Sequence, residues 1–229
     1  MSKKADHNPG SQDVDLGEVY SRTELFLEKH KNTLTYAALG LVVVVGGLLG
    51  YRKFISEPKA KEASELMWKA EYYFEMDSLD RAAMGDDQWP GFEEITQNYG
   101  GTPAGKLAHF YLGTINMERG EYEVAIDHYS KADVDDDVLR AMAEGNTGDA
   151  LVELGRRDEA VRRFEKAAGI ATNDLTTPFF LMKAGILHMQ AGDHKAARKA
   201  FDRIVKEFPK SADVDQARKY AGLSEAKGG

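Results

Sequence analysis

The chain has 229 residues, enough for one good-sized domain or for a smaller domain with accessory segments. Its formal net charge is −8, which argues against a nucleic-acid partner because neutralising phosphates requires clustered Lys and Arg. The sequence contains no cysteine, which excludes disulfides, thiolate metal sites and a cysteine nucleophile.

The first 32 residues form a polar segment. Residues 1–16 lack a core-forming pattern, and we expect them to be disordered. Ser21 and Glu24 have the spacing of a capping box ahead of Leu25, so a short helix is expected to lead into the apolar stretch that follows. Residues 1–32 are therefore predicted to be a partly disordered tail.

An uncharged apolar stretch follows at residues 34–51. As a helix it would span about 27 Å, close to the hydrocarbon thickness of a bilayer. A buried core helix and a cleaved signal peptide are the alternatives. Basic residues flank both ends, which favours a membrane span over a core helix. No small-x-small cleavage site follows, so residues 33–52 are predicted to be an uncleaved transmembrane anchor.

The flanking charges do not set the orientation of this anchor, because basic residues lie on both sides of it. A short N-terminal tail and a large C-terminal domain favour a cytoplasmic tail and a domain outside the cytoplasm. This orientation is an expectation from chain length, since large domains cross membranes largely regardless of their charge.

The remainder of the chain contains an internal repeat. Residues 106–132, 141–167 and 178–204 align with periods of 35 and 37 residues, and the extra length falls in the loop at 171–177. Four columns match in all three segments: Gly113, Gly148 and Gly185; Gly120, Gly155 and Gly192; Ala125, Ala160 and Ala197; and Tyr129, Phe164 and Phe201. This pattern resembles the tetratricopeptide family, which implies a stack of antiparallel helix pairs.

Each column has a physical reason. A glycine within a helix costs about 1 kcal/mol relative to Ala, so its repetition in the first column indicates that the paired helix approaches closely, and the small Ala column permits the same approach. The second glycine column suits the left-handed position after a helix. The aromatic column is expected to fill the gap between successive helix pairs.

The predicted fold class is therefore all-α, a tetratricopeptide solenoid preceded by one transmembrane helix. The repeat domain is expected at residues 57–229. Its predicted parts are a divergent repeat with an inserted loop at 61–105, full repeats at 106–139, 141–174 and 178–211, and a capping helix at 211–225. Pro209 is expected to stop the last repeat helix.

The sequence offers little for catalysis. None of its six histidines forms an H-E-x-x-H pair or another recognisable metal spacing. The acidic run at 133–137 lacks the Gly and Glu of a calcium loop, so we interpret it as a linker between repeats. We expect no enzymatic activity, no metal or other cofactor and no small-molecule substrate.

The resemblance implies a partner-binding groove on the concave face, lined by the first helix of each repeat. Transferred by register, the predicted groove residues are Leu107, Phe110, Met117, Met142, Val152, Phe179, Met182, Ile186 and Met189. Methionine adapts its shape, so such a groove suits varied hydrophobic segments of other proteins. The alternative is that these side chains are buried by neighbouring helices.

A narrower resemblance rests on residues 21–29 (SRTELFLEK), 73–78 (YFEMDS) and 102–105 (TPAG), together with Gly91-Phe92 and Tyr99. These segments are similar to the YfgM-like ancillary subunits of the bacterial Sec translocon, in particular those of Bacteroidetes type. The resemblance implies a single-pass protein of the bacterial inner membrane, with a cytoplasmic N-terminus and a periplasmic repeat domain. The implied partners are the lipid bilayer, translocon subunits, periplasmic chaperones and exported chains.

The function that follows is a membrane-anchored interaction module of the cell envelope that assists export at the Sec translocon and passes clients to periplasmic chaperones. A tetratricopeptide scaffold for another envelope complex, in cell division or envelope assembly, is the alternative that the sequence leaves open.

Overall fold

The computed structural model describes residues 16–228, with side chains described from residue 27 onward. This part of the chain is helical and contains no β-strand, which confirms the predicted all-α class. The α-helices are α1 Leu16–Tyr51, α2 Glu57–Glu75, α3 Leu79–Met84, α4 Phe92–Tyr99, α5 Pro103–Glu118, α6 Tyr122–Lys131, α7 Asp137–Glu153, α8 Arg157–Ile170, α9 Thr176–Gln190, α10 His194–Glu207 and α11 Val214–Gly228, with a π-helical segment at Arg52–Ser56.

The chain divides into two compact units, Met1–Ile55 and Ser56–Gly229. In the first unit α1 begins at Leu16, so the helix start predicted at Ser21 is wrong and that position lies inside the helix. The disorder predicted for residues 1–16 falls outside the described part, except at Leu16. By length and composition, one helical stretch near the N-terminal end of the described chain could cross a membrane. Its most apolar window of 18 residues has a mean hydropathy of 2.0, and none of that window is buried.

The second unit is a stack of helix pairs. Helices α5 and α6, α7 and α8, and α9 and α10 pair in chain order, and α11 packs on the last pair. In the first pair α2 packs against α4, and the short helix α3 lies in the segment that the sequence suggested was only a loop. The final helix begins at Val214, three residues later than predicted, because Ser211 lies in the preceding turn and its hydroxyl accepts a hydrogen bond from the Asp213 N–H.

The aromatic column packs on the first glycine column. In each full repeat the ring from the second helix lies over the glycine of the first helix: Tyr129 over Gly113, Phe164 over Gly148 and Phe201 over Gly185. A Cβ atom at these glycines would lie 2.5–2.6 Å from the nearest ring carbon. The alanine column is fully buried. The missing Cβ atoms therefore make room for an aromatic ring of the same repeat.

The second glycine column ends the first helix of each repeat. Gly120, Gly155 and Gly192 have φ values of +72°, +74° and +81°. Each N–H donates to the carbonyl three residues earlier, and the next residue's N–H donates to the carbonyl five residues earlier, as from Glu121 to Asn116. This is the Schellman pattern, which requires a left-handed residue at the turn. It lets the second helix of each pair fold back on the first.

Candidate partner-binding pocket in the repeat domain

The longer linker between α8 and α9 has a defined conformation. The side-chain oxygen of Asn173 accepts hydrogen bonds from the N–H groups of Leu175 and Thr176, at 2.8 and 2.7 Å. The hydroxyl of Thr177 donates to the Ala171 carbonyl from the other side of the loop. These bonds satisfy free N–H groups at the start of α9. The loop thus holds Leu175 outward, with 72% of its surface exposed.

Leu175 forms the rim of a pocket of about 450 Å³ between α7, α9 and the turn before α11. Its apolar lining comes from Val138, Met142, Leu175 and Phe179. Phe179 is 41% exposed and Val138 is 39% exposed, so apolar surface is open to solvent here. The remaining lining residues are Asp174, Thr176, Ser211, Ala212 and Asp213. The pocket therefore has an apolar wall with two carboxylates in its lining.

A salt bridge lies next to this pocket. Lys183 of α9 donates to both carboxylate oxygens of Asp149 in α7, at 2.6 and 2.7 Å. The Lys183 ammonium also lies 4.8 Å from the centre of the Phe179 ring, within the range of a cation–π interaction. The pair joins the first helices of two successive repeats, α7 and α9, and its ammonium contacts the Phe179 ring.

Most of the other predicted groove residues contribute to packing. Leu107 packs against the buried cluster formed by helices α2 to α5. Phe110 and Met117 pack against a smaller buried cluster around Tyr129. Val152, Ile186 and Met189 pack against the large core of the last repeats. All of these are half-buried. Of the nine predicted residues, the structure brings Met142 and Phe179 together in the open pocket.

Met182 is wrong as a groove residue. Its side chain is 5% exposed and belongs to the core of the last two repeats. At the equivalent position of the preceding repeat is Gly145, and the ring of Phe180 occupies the space beside it. Met182 instead lies in the same buried cluster as Phe180 and Phe201.

The surface between α5 and α7 is polar, not apolar. The hydroxyl of Tyr129 lies 3.2 Å from both Thr114 Oγ1 and Asn146 Nδ2. Burial raises the pKa of Tyr129, and these two hydrogen bonds oppose that shift. The predicted continuous apolar groove is therefore interrupted between the second and third repeats.

Two histidines form a contact away from this pocket. His109 of α5 and His128 of α6 approach with their Nδ1 atoms 2.9 Å apart. Burial, then the neighbouring charges of His128 and Lys131, lowers the pKa of His109 to about 4. Burial also lowers the pKa of His128, although Asp127 acts in the opposite direction. Both rings are therefore neutral at pH 7, and the N–H of one ring donates a hydrogen bond to the ring nitrogen of the other.

Sequence reasoning missed Val138 and Leu175 in the apolar wall of the pocket, and Lys183 beside it. The longer second period of 37 residues did point to the loop at 171–177, which contains Leu175. Lys183 carried no such signal, because its partner is 34 residues away. Among the side chains that the structure describes, residues 27–228, no group of three or more His, Cys, Asp or Glu could hold a metal ion.

A solved structure with the same fold supports the repeat architecture. A crystal structure of MamA protein matches with a TM-score of 0.55 and 17% identity, over 74% of this chain and 82% of that chain. A second crystal structure of MamA matches at 22% identity with a TM-score of 0.45, over 60% of this chain and 79% of the other. No curated protein sequence matches significantly. The first likeness confirms the predicted tetratricopeptide solenoid.

One family model matches most of the chain. It covers residues 11–220 and is described as "T7SS, ESX-1 secretion system protein EccA1, N-terminal domain". The chain therefore belongs to the family of the N-terminal domain of the ESX-1 secretion system protein EccA1.

Proposed function

We propose that the repeat domain binds hydrophobic segments of other proteins in the pocket beside Phe179. The observation that carries this proposal is exposed apolar surface held in a fixed shape: Phe179 and Leu175 are 41% and 72% exposed, and Asn173 anchors the loop between α8 and α9. Exposed apolar patches with polar rims are typical of interaction sites. A pocket of about 450 Å³ accommodates one or two large apolar side chains.

The pocket also sets a preference for charge. Asp174 and Asp213 contribute carboxylates to its lining, whereas the nearby Asp149 is neutralised by Lys183. A ligand with an apolar anchor and an adjacent Lys or Arg fits this arrangement, because opposite charges at the rim favour association. Extended segments of exported chains combine such residues.

We also propose that the chain is anchored in the bacterial inner membrane by residues 33–52, with its N-terminus in the cytoplasm and its repeat domain in the periplasm. The absence of burial over the apolar window supports a lipid environment over a protein core. The long uncharged stretch matches the thickness of a bilayer.

On this basis the chain assists protein export as a membrane-anchored interaction module, next to the Sec translocon in the manner of the YfgM-like subunits. Its partners are translocon subunits, periplasmic chaperones or the exported chains. Two observations support an export role: the sequence segments similar to YfgM-like proteins, and a matched family that is named for a secretion-system component.

Photocrosslinking in intact cells tests both the site and its partners. A photoreactive amino acid replaces Phe179, and a second strain carries it at Lys219, an exposed position on α11. We expect adducts with nascent exported chains, translocon subunits or chaperones from position 179 and not from 219. A single fixed partner unrelated to export would assign the chain as a scaffold of another complex. Equal adducts from both positions would contradict the pocket.

A further inference from the structure

The outermost helix of the repeat domain exposes an apolar stripe. Trp68, Tyr72 and Met76 follow one another at four-residue intervals along α2 and share one face. They are 49%, 46% and 61% exposed. The opposite face carries the buried residues Ala63, Met67 and Ala70. Since α2 packs on α3, α4 and α5 through its buried face, the stripe is turned away from the core of the repeat domain.

The two ends of the helix stack differ in the polarity of their exposed surface. At the far end, the exposed positions of α11 are mostly polar, including Asp215, Arg218 and Lys219. The terminal repeats of solenoid proteins normally present a polar outer face, which keeps them soluble. The N-terminal repeat departs from that rule, and an aromatic stripe at a terminal helix is expected where another surface covers it.

An inserted loop adds a second tryptophan to the stripe. The ring of Trp89 lies edge-on against Trp68, with centroids 5.3 Å apart. The carboxylate of Asp86 accepts hydrogen bonds from the N–H groups of Gln88 and Trp89, at 2.9 and 2.8 Å, and from the hydroxyl of Tyr73. The loop is thereby fixed to α2. The only two tryptophans of the chain are held side by side at the surface.

The charge of the molecule is concentrated in the same repeat. Residues 57–99 contain eleven acidic and four basic side chains, a net charge of −7, and the whole chain carries −8. One of the four basic residues, Lys69, already contacts these aromatic rings. The ammonium of Lys69 lies 5.3 Å from the Trp68 ring centre and 4.7 Å from that of Tyr72, distances at which a cation is attracted to an aromatic face.

We propose that this surface, the Trp68–Trp89 face, is a second docking site, for a basic amphipathic segment of a partner polypeptide. Arg or Lys side chains of the segment lie against the tryptophan faces and the surrounding carboxylates, and its apolar side chains cover Met76. Tryptophan is the residue most enriched at the energetic centres of protein interfaces. The acidic surroundings select a basic partner over an acidic one. The site is independent of the pocket beside Phe179.

Titration of the purified full chain in detergent tests the proposal. The probe is a labelled helical peptide of Leu and Arg, and a peptide with Glu in place of Arg is the matched control. Anisotropy of the label gives Kd for the parent, Trp68→Ala and Phe179→Ala. Because a Leu/Arg peptide also suits the pocket beside Phe179, the comparison is made in the Phe179→Ala background, which removes the aromatic anchor of that pocket. In this background we expect Trp68→Ala to weaken binding of the Leu/Arg peptide by about tenfold or more and Trp68→Phe to retain most of it, and we expect Phe179→Ala alone to retain binding at the Trp68–Trp89 face. Trp68 is half exposed, so its removal leaves the fold intact.

Intrinsic fluorescence provides a second readout, because both tryptophans lie in the proposed site. Their emission should shift on addition of the Leu/Arg peptide, and raised salt should weaken the binding. Loss of binding in Phe179→Ala and not in Trp68→Ala would place the peptide in the pocket and overturn the proposal. Equal affinity for the two peptides would overturn it as well. A sedimentation experiment in which Trp68→Ala converts a dimer into a monomer would also overturn the proposal, since a second copy of the chain would then cover the face.

Discussion

Gly145 provides the most direct test of how the repeats pack. It lies in α7, one turn before the repeat glycine Gly148, and the ring of Phe180 from the next repeat rests against it. A Cβ atom at Gly145 would overlap Cε1 and Cζ of that ring and lie 2.7 Å from Cδ1. Phe180 is fully buried and stacks on Phe164 with ring centres 6.3 Å apart, so it cannot move aside without disturbing the core.

For Gly145→Ala two effects oppose each other. Overpacking a core of this kind costs about 3 kcal/mol at the upper end of the usual range, and replacing a helical glycine with alanine returns about 1 kcal/mol. We therefore expect a net loss of about 2 kcal/mol in the free energy of unfolding. In a domain of this size that corresponds to a decrease in Tm of roughly 4–8 °C.

Gly169→Ala is the matched control. Gly169 also lies within a helix, α8, but a Cβ atom there would have no neighbour within 4 Å. This variant should be more stable than the parent by about 0.5–1 kcal/mol. Urea unfolding of residues 56–229, followed by circular dichroism, measures both variants. Adding Phe180→Leu to Gly145→Ala should recover part of the loss. If Gly145→Ala is as stable as Gly169→Ala, the packing of α9 on α7 described above is incorrect.

Three further predictions concern pH, the pocket loop and topology. His109 and His128 are neutral in the folded state and titrate near 6.5 when unfolded, so stability should fall as the pH drops from 7 towards 4. Because His109 is only half-buried, solvent screens part of this effect, and we expect His109→Gln to abolish only about 1–2 kcal/mol of that decrease in urea titrations at pH 7 and 4.5. An unchanged pH dependence would contradict this prediction. Asn173→Ala should lose about 1 kcal/mol of stability, since two N–H groups lose their acceptor; a melt identical to the parent's would count against the loop geometry. Protease added to spheroplasts should degrade the repeat domain and spare a short N-terminal fragment, and full protection of the domain would reverse the proposed orientation.

The repeat architecture was predictable from sequence because its constraints are local or periodic. The backbone at positions 120, 155 and 192 is left-handed, a conformation that favours glycine. Each aromatic ring of the second helix lies so close to the first helix of its repeat that only glycine fits beneath it. In the amphipathic helix α10, the spacing of the apolar residues likewise identifies the buried face, which carries Ala197, Phe201 and Ile204.

The groove was less predictable because α9 is apolar on nearly every side. A helix without a polar face gives no periodic signal to separate core from surface, so register alone assigned Met182 to the groove. Met182 is buried in a cluster drawn from several helices of the last repeats, and such packing between distant segments leaves no periodic signal in the sequence. The same limit applies to Trp89, whose position depends on the Tyr73–Asp86 hydrogen bond across an inserted loop.

The two proposed docking surfaces differ in the force that would hold a ligand. At the pocket beside Phe179, the nearest lysine is already paired with Asp149, and the wall is formed by four apolar side chains. Binding there should be dominated by apolar burial, which ordinary salt concentrations do not screen. The Trp68–Trp89 face lies in a repeat with a net charge of −7, and its attraction for a basic segment extends over about 10 Å at 0.1 M salt.

Ionic strength therefore separates the two sites on one molecule. At low salt a basic, apolar polypeptide meets the acidic repeat first, because electrostatic attraction raises the rate of encounter. Its apolar residues then compete for the pocket, where release is governed by the buried area. A polypeptide long enough to reach both surfaces gains from the high effective concentration of the second site once the first is occupied. Such a ligand should show an association rate that falls as the salt concentration rises and a dissociation rate that changes little with salt. A ligand that has no basic residues and binds only in the pocket should show little salt dependence in either rate.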